Sequence, residues 1–483
     1  MDATSDTGRE LVRYRTILGY RRAMPSMHTW DESTELFAHS VIGYAIERCR
    51  LPKDPRWGAP QADVLVDTFA RTISAGGLGA HEAMRIVREV MIPSCRPMDD
   101  PMNLAYVPTA PTVAATMFDL VVSASSIFGG NWEAGAGAIA AENQVLRWLG
   151  SLAGLPEGAG GAFVSGGSAA NLSALVTARH QHLERHGRRG RLAFAATTEV
   201  HASVRATARV MDVDVVPVEV DDRDRMTGPA LRAALDAAAR DGEGPDVFAV
   251  AASAGTTNAG AIDRLDEVAE VCRERGLWLH VDGAYGLAAL CSPDGRRRLA
   301  GIEHVDSFGV DPHKWLFAPY DCAALVYRDP GLATSAHSQH GAYLDAVDRS
   351  EWNPSDYAYH LSRRARGLPL WFSLATYGTD AYAEAMDRTI ATARAFADAV
   401  EAHPAFDLLL DPELSIVLFR RRGWSPDDHR EWSRSRAKDG VTLIVPTTFH
   451  GETVMRVCIV NPRTEIDRLV PLLDDMAAWG PPA

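Results

Sequence analysis

The stretch Asp306-Ser-Phe-Gly-Val-Asp-Pro-His-Lys-Trp-Leu-Phe317 places a lysine among apolar residues, directly after a proline and a histidine. Residues 307–310 have the composition of a short buried strand, so Lys314 is expected just past the carboxyl end of that strand. A lysine stem can lie along an apolar surface, but a buried ammonium group needs water or a partner. The stretch therefore predicts either a salt-bridged lysine or a lysine that takes part in chemistry.

Short apolar runs of the same kind recur around this stretch and alternate with helical segments. The predicted strands cover residues 192–197, 213–220, 247–253, 277–281, 307–310 and 322–327. The predicted helices beside them cover residues 169–185, 202–211, 228–241 and 265–275. Because these strands lack strict polar alternation, we expect a mostly parallel sheet that is covered by helices on both faces. The predicted fold class is α/β.

The regions on either side of this core have other patterns. Residues 1–100 are predicted to form a helical segment, residues 101–363 a large α/β domain and residues 364–483 a small α+β domain. Residues 331–360 are long, polar and irregular, as in lids or binding loops. The remaining predicted elements are helices over 34–48, 80–91 and 382–403 and strands over 415–419, 442–445 and 454–459.

Composition excludes several classes of protein. The chain has 483 residues, of which 46% are hydrophobic, and a formal net charge of -14. This acidic balance argues against a nucleic-acid partner, which needs clustered Lys and Arg. The six cysteines have no metal-ligand spacing, so we expect reduced thiols and no metal site. No signal-peptide pattern and no run of about eighteen apolar residues is present, so a cytoplasmic protein with no membrane contact is expected.

A second charged residue is expected at the same edge of the sheet. Asp282 ends the apolar run Trp278-Leu-His-Val-Asp282, and ligands of open α/β sheets bind outside the carboxyl ends of the strands. An aspartate and a lysine at one site suit pyridoxal 5'-phosphate, since the amine forms an imine and the carboxylate keeps the pyridine nitrogen protonated. Taken singly, Asp282 also fits a turn cap and Lys314 a surface salt bridge.

Three further strand ends carry small or polar residues. The turn Ser165-Gly-Gly-Ser-Ala-Ala-Asn171 opens a helix whose first amides, with the Ser168 hydroxyl, could hold a phosphate. His201 follows the run 192–197, where its ring could stack on a planar cofactor or simply cap a helix. The segment Ser253-Ala-Gly-Thr-Thr-Asn258 suits close approach by a ligand, or a plain turn.

Taken together, these segments resemble the group II amino acid decarboxylases, which are fold-type I (aspartate aminotransferase-like) pyridoxal-phosphate enzymes. That family includes the aromatic-L-amino-acid, histidine and glutamate decarboxylases. The resemblance covers roughly residues 95–470 and is most specific in Asp-Pro-His-Lys-Trp315 and His-Val-Asp282. The other matching segments are 107–112, 142–148, 165–175, His201, 255–257, 363–366 and 461–464.

The resemblance implies roles for individual residues. Lys314 would bind the cofactor covalently, Asp282 would pair with the pyridine nitrogen, and His201 would stack on the ring. It further implies an intertwined homodimer with an amino acid as substrate. The other residues that the resemblance brings to the cofactor, at the phosphate or nearby, are Gly167, Ser168, Thr256, Asp311 and His313.

The expected activity is decarboxylation of an L-amino acid to an amine and carbon dioxide, with aromatic or apolar substrates favoured. The candidate pocket residues are Tyr106, Thr109, Tyr343 and Tyr357. Aromatic-type relatives carry a proton-donating tyrosine on the loop that corresponds to residues 331–360, and no tyrosine aligns there securely. Oxidative deamination to an aldehyde, or another lyase or transferase reaction, is therefore the alternative. The retained Lys314 argues against a non-enzymatic binding protein.

Overall fold

The computed structural model describes residues 27–50, 54, 56, 58, 60–239, 244–339 and 351–480. Internal contacts divide the chain into two compact units, one ending at Arg96 and the other containing Pro97–Ala483. The first unit holds α1 (Glu32–Arg50), α2 (Ala62–Phe69), α3 (Ala80–Ile86) and the π-helical turn Val87–Met91. Helix α1 begins where the Asp31 carboxylate accepts the backbone N–H of Thr34 at 2.9 Å. The predicted helices over 34–48 and 80–91 are confirmed, the second ending in the π-helical turn.

The second unit is built around a seven-stranded sheet. Its strands are β1 (Gly160–Val164), β2 (Leu192–Thr197), β3 (Asp214–Val218), β4 (Asp246–Ser253), β5 (Trp278–Asp282), β6 (Ser307–Val310) and β7 (Ala323–Tyr327). The strand order is β1-β7-β6-β5-β4-β2-β3, and the pairs from β6 to β3 are all parallel. β7 pairs antiparallel with both β6 and β1, so β1 runs in the same direction as β6. The predicted strands are confirmed to within two residues at each end.

Helices cover both faces of this sheet. They are α4 (Val113–Ala124), α5 (Trp132–Leu152), α6 (Gly167–His186), α7 (Ala202–Met211), α8 (Gly228–Ala239), α9 (Leu265–Arg275), α10 (Pro293–Arg298), α11 (Pro312–Trp315) and α12 (Gly331–His337). Neighbouring strand residues alternate between two buried clusters, as Ala195 and Phe194 do. Both faces are therefore apolar, which confirms the prediction of an α/β fold with a buried sheet.

A smaller antiparallel sheet follows in the same unit, in the order β10-β11-β9-β8. Its elements are α13 (Leu368–Ala402), β8 (Phe406–Leu408), β9 (Ile416–Arg421), α14 (Pro426–Asp439), β10 (Thr447–Phe449), β11 (Glu452–Cys458) and α15 (Ile466–Ala478). Helix α13, kinked at Gly378, contributes Met386 to the core of the large sheet and Phe396 to that of the small sheet. The predicted division between residues 363 and 364 stays a prediction.

Two sequence-based predictions were wrong. Residues 442–445 do not form a strand of the small sheet, because Leu443 exchanges backbone hydrogen bonds with Met102 and Leu104 at 3.0 and 2.9 Å instead. The stretch 331–360, expected to be irregular, begins with helix α12, and its residues 340–350 lie outside the described residues. That helix starts where Asp329 accepts the backbone N–H of Gly331, and it packs on the large sheet through Ala333. Among the described helices, none is long and apolar enough to cross a bilayer.

Candidate active site

Two adjacent parallel strands bring Asp282 and Lys314 to one edge of the large sheet. Asp282 is the last residue of β5 and pairs in register with Gly309 of β6. β6 ends one residue later, and the short helix α11 that follows carries Lys314. The loops after the two strands are joined, since the backbone N–H of Asp311 donates to the carbonyl of Ala284 at 3.0 Å. Strand direction and register therefore bring the two predicted residues to one site.

Lys314 has an acidic partner one helical turn away. Its Nζ lies 3.0 Å from Asp311 Oδ2, and the Asp311 side chain is only 3% exposed. Burial lowers the pKa of Lys314, but the charges of Asp311 and Asp282 raise it by more, so the net shift is upward. The predicted salt bridge is thus present, and it holds the lysine as an ammonium group. Asp311 Oδ1 is buried and has no hydrogen-bond partner.

Asp282 is buried and accepts hydrogen bonds at both carboxylate oxygens. Oδ1 accepts the backbone N–H of Ala284 at 3.1 Å, which is the turn cap considered from the sequence. Oδ2 accepts from Asn171 Nδ2, the amide of a buried residue on α6, at 2.7 Å. The two donors fix the orientation of the carboxylate.

His201 precedes helix α7, and its ring is the N-terminal cap of that helix. Nδ1 accepts the backbone N–H of Ser203 at 3.2 Å and lies 2.8 Å from Ser203 Oγ. Ser203 Oγ in turn lies 3.1 Å from Asn171 Nδ2. The capping role considered from the sequence is therefore present, and two side chains connect His201 to Asp282.

The predicted phosphate site is the open start of helix α6. Gly166 precedes this twenty-residue helix without any side-chain cap, so the first amides point outward. A Cβ at Gly167 would lie 3.2 Å from both carboxylate oxygens of Asp311, so glycine allows this close approach. Ser168 is exposed in the same turn. His313 is buried, and burial lowers its pKa.

These groups suit pyridoxal phosphate chemically. They offer an amine for covalent attachment, an oriented carboxylate for the pyridine nitrogen and an uncapped helix start for a phosphate. The buried Asp311 oxygen without a partner is one further acceptor at the site. Among the described residues, no group of three or more His, Cys, Asp or Glu could hold a metal ion.

The family model described as "Pyridoxal-dependent decarboxylase conserved domain" matches residues 79–422. The chain belongs to the pyridoxal-dependent decarboxylase family. It is 31% identical over 425 residues to an aromatic-L-amino-acid decarboxylase of Bacillus atrophaeus, covering 85% of this chain and 88% of that protein. It is 30% identical to a histidine decarboxylase of Drosophila melanogaster, covering 80% of this chain and 47% of that protein.

A comparison with a solved structure agrees with this family assignment. The crystal structure of Oryza sativa TDC with PLP and tryptamine superposes with a TM-score of 0.86 at 25% identity, covering 93% of this chain and 98% of that chain. The fold is therefore that of the fold-type I decarboxylases, the cofactor is pyridoxal phosphate and the enzyme is an amino acid decarboxylase.

The predicted pocket residues Tyr106 and Thr109 and the predicted cofactor residue Thr256 make contacts in separate loops of this decarboxylase. Tyr106 is 64% exposed, and its carbonyl accepts from Arg456 Nη1 at 2.6 Å. The buried Thr109 hydroxyl donates to the Ala318 carbonyl at 3.3 Å, just beyond the lysine helix. Thr256 uses its hydroxyl oxygen within its own loop, accepting the backbone N–H of Ala261 at 3.1 Å.

Tyr357 is not brought to this edge of the sheet. Its ring stacks on Trp352 with centroids 4.2 Å apart, and its carbonyl accepts from the Tyr327 hydroxyl at 3.1 Å. Tyr327 pairs with Gly160 at the start of β1, whereas the candidate site lies beyond the end of β1. Tyr343 lies outside the described residues.

Three arginines that could have paired with an acidic substrate have partners within the chain. Arg363 is buried against Glu142, with two contacts of 2.8 Å. Arg364 Nη2 lies 2.6 Å from Asp119 Oδ1. The third is Arg456, which is 5% exposed, donates to backbone carbonyls and keeps Nη2 without a partner.

Sequence reasoning missed Asn171, which orients Asp282, and His280, which contacts Asn171. Asn171 is one helical turn after Gly167, so the two residues share a face of α6. His280 is two residues before Asp282 and lies on the same face of β5. Both residues were inside quoted motifs, and this spacing indicates the shared faces but not the contact between α6 and β5.

Proposed function

We propose that this enzyme decarboxylates an aromatic or apolar L-amino acid to its amine and carbon dioxide, with the cofactor bound covalently by Lys314. The observation that carries the proposal is that Lys314 and Asp282 follow adjacent parallel strands and that the charge of Asp282 raises the pKa of Lys314. An amine and a carboxylate held this way suit the two ends of a pyridinium aldehyde.

The protein's own residues then have separate tasks. Bound pyridoxal phosphate supplies the electron sink for the pair left behind when carbon dioxide departs. Asp282, oriented by Asn171 and Ala284, holds a proton at the pyridine nitrogen. The amides of Gly167 and Ser168 at the start of α6 bind the phosphate.

Lys314 and His201 control the substrate side of the ring. Asp311 keeps Lys314 protonated in the free protein, so a proton must leave Nζ before the amine can react, and Asp311 Oδ2 lies 3.0 Å from Nζ. His201 would supply a ring to stack on the bound cofactor and a nitrogen for the substrate carboxylate. These residues position and orient the reacting groups, which is the protein's contribution to catalysis.

Several observations support an aromatic or apolar substrate. The Bacillus atrophaeus relative is an aromatic-L-amino-acid decarboxylase. Arg363 and Arg364 are each neutralised by a carboxylate and leave no free charge for an acidic side chain. Arg456 Nη2 is buried and has no partner, so glutamate and aspartate belong in the substrate panel as a test.

A product assay tests the reaction. The cofactor-loaded protein is incubated with each amino acid, and carbon dioxide, amine, aldehyde and peroxide are measured together. We expect amine and carbon dioxide in equal amounts from an aromatic or apolar amino acid, and little turnover by Asp282→Asn. Aldehyde with peroxide would favour the oxidative alternative. Preference for glutamate or aspartate would contradict the proposed substrate class.

We also propose that the enzyme is a homodimer. Helix α1 buries none of its residues, although Leu36 is 66% and Phe37 41% exposed. Helix α4 leaves Leu120 46% and Val121 49% exposed. Apolar surfaces of this kind are typical of protein interfaces. Light scattering of the holoenzyme should give twice the mass of one chain, and an active species with the mass of a single chain would contradict the proposal.

A further inference from the structure

A chain of hydrogen bonds joins two of the proposed cofactor-binding residues, Asp282, which is buried, and His201, which is exposed. Asn171 Nδ2 lies 2.7 Å from Asp282 Oδ2 and 3.1 Å from Ser203 Oγ. Ser203 Oγ lies 2.8 Å from His201 Nδ1. Asn171 Oδ1 lies 3.0 Å from His280 Nε2. Asn171 is fully buried and stands where these branches meet.

The charge of Asp282 determines the direction of each hydrogen bond at Asn171. An ionised carboxylate can only accept, so the Asn171 atom that faces Asp282 must be the amide nitrogen. That nitrogen carries a second hydrogen, which points to Ser203 Oγ. The Asn171 oxygen then faces His280, whose Nε2 must carry a hydrogen and donate it. Asn171 therefore uses both of its donor hydrogens and its acceptor.

The branch through His280 ends at an indole. Burial lowers the pKa of His280 to about 4, so the ring is neutral near pH 7 and Nδ1 is an acceptor. Ser307 Oγ lies 2.9 Å from Nδ1 and donates there. The same oxygen accepts from Trp278 Nε1 at 2.9 Å. The chain thus begins at an N–H that can only donate and ends at a carboxylate that can only accept.

The branch through Ser203 determines the protonation of His201. The backbone N–H of Ser203 donates to His201 Nδ1 at 3.2 Å. A ring nitrogen that accepts a hydrogen bond carries no hydrogen, so the hydrogen of the neutral ring is on Nε2. Ser203 Oγ accepts from Asn171 and directs its own hydrogen to the same Nδ1.

We propose that Asn171 is a positioning residue that orients the Asp282 carboxylate and, by donating to Ser203 Oγ, directs the Ser203 hydroxyl hydrogen to His201 Nδ1. The inference rests on the proposed function, in which Asp282 and His201 face the cofactor. One amide group thus orients the acceptor at the pyridine nitrogen and adds to the backbone N–H of Ser203, which keeps the hydrogen of the neutral His201 ring on Nε2.

Two spectroscopic readouts test the two branches separately. In the cofactor-free protein, the ¹⁵N and ¹³C shifts of labelled histidine show which nitrogen of His201 carries the hydrogen, and the signal is assigned by its loss in His201→Gln. In the holoenzyme, the ¹⁵N shift of ring-labelled pyridoxal phosphate shows whether its nitrogen is protonated. For the wild type we expect a hydrogen on Nε2 of His201 and a protonated ring nitrogen.

Substitutions at Asn171 separate hydrogen-bond donation from packing. Asn171→Leu keeps approximately the size of the side chain but has no hydrogen to give, and Asn171→Ala removes the group. Both should move the ring-nitrogen signal toward the unprotonated form and lower kcat about tenfold to a hundredfold, as expected for losing a hydrogen bond to a charged group. Ser203→Ala should change the His201 signal and leave the ring-nitrogen signal unchanged.

Gln181→Ala is the matched control. Gln181 is a second buried carboxamide on α6, and it donates to Ser335 Oγ and the Leu332 carbonyl, both at 2.9 Å. This variant should leave both signals as in the wild type.

Wild-type signals and turnover in Asn171→Leu would overturn the proposal, since a packing role would then suffice. A wild-type His201 with its hydrogen on Nδ1 would overturn it as well. Should Asn171→Ala fail to fold, Asn171→Leu and Ser203→Ala still decide. Failure of the wild type to bind pyridoxal phosphate through Lys314 would contradict the proposed function instead, because the His201 tautomer is read without cofactor.

Discussion

The buried ion pair between Arg363 and Glu142 allows a quantitative test of the packing behind the site. Each side chain is 2% exposed. Glu142 accepts from both terminal nitrogens of Arg363 and from the backbone N–H of Gly367, all at 2.8 Å. Arg363 Nη1 also donates to the Gly129 carbonyl at 2.7 Å. The carboxylate thus anchors the segment before α13 to helix α5.

Glu142→Gln keeps the shape but removes the charge and turns an amide N–H₂ toward the guanidinium group. Breaking a buried pair leaves an uncompensated charge, so we expect a loss of about 3–5 kcal/mol in the free energy of unfolding. Urea unfolding followed by circular dichroism measures this loss by linear extrapolation. A loss below about 1 kcal/mol, the range of surface pairs, would refute the reasoning.

The control is Glu274→Gln on the surface of the same unit. Glu274 pairs with Arg232, and the two side chains are 43% and 41% exposed. Because water screens this pair, the substitution should leave the free energy of unfolding within the error of the assay.

Three further predictions concern the site itself. Gly167→Ala should weaken cofactor binding about tenfold or more, a loss of about 1.4 kcal/mol, because its Cβ would meet both Asp311 oxygens at 3.2 Å. The control Gly137→Ala in α5 should leave cofactor binding unchanged, since a Cβ there meets nothing within 4 Å. Equal cofactor affinities of the two variants would contradict the prediction. The pKa of His280 is lowered from 6.5 to about 4, so the wild type should lose on the order of 3 kcal/mol of unfolding free energy as pH falls from 6.5 to 4. His280→Gln should lack this pH-dependent loss. Parallel pH profiles of wild type and variant would contradict the prediction. Asp311→Asn should lower the pKa of Lys314, measured by the pH dependence of amine labelling in the cofactor-free protein, and an unchanged midpoint would be the contrary result.

Most of the large sheet could be predicted from the sequence because buried parallel strands are continuous apolar runs. Strands β2 and β6 match their predictions residue for residue. The reversed direction of β7 could not be predicted, since an apolar run has no direction of its own. The segment 442–445 was wrongly predicted to be a strand, because its apolar pattern does not show that the backbone bonds of Leu443 go to Met102 and Leu104.

In the candidate site, the residues at strand ends could be predicted from the sequence, but the contacts that depend on helix packing could not. Lys314 and Asp282 follow strands, so the parallel direction of those strands was enough to bring them together. Asn171 and Ser203 are polar residues within the first turns of helices, where sequence favours a capping or solvent-exposed interpretation. Their contact with Asp282 and His201 depends on how α6 and α7 pack on the sheet, which no local pattern specifies.

Covalent binding of the cofactor by Lys314 is tested most directly by reducing the holoenzyme with borohydride, followed by proteolysis and mass spectrometry. We expect the reduced cofactor on the peptide that contains Lys314, and no covalent label on Lys314→Ala. A label on any other lysine, or full labelling of Lys314→Ala, would contradict it.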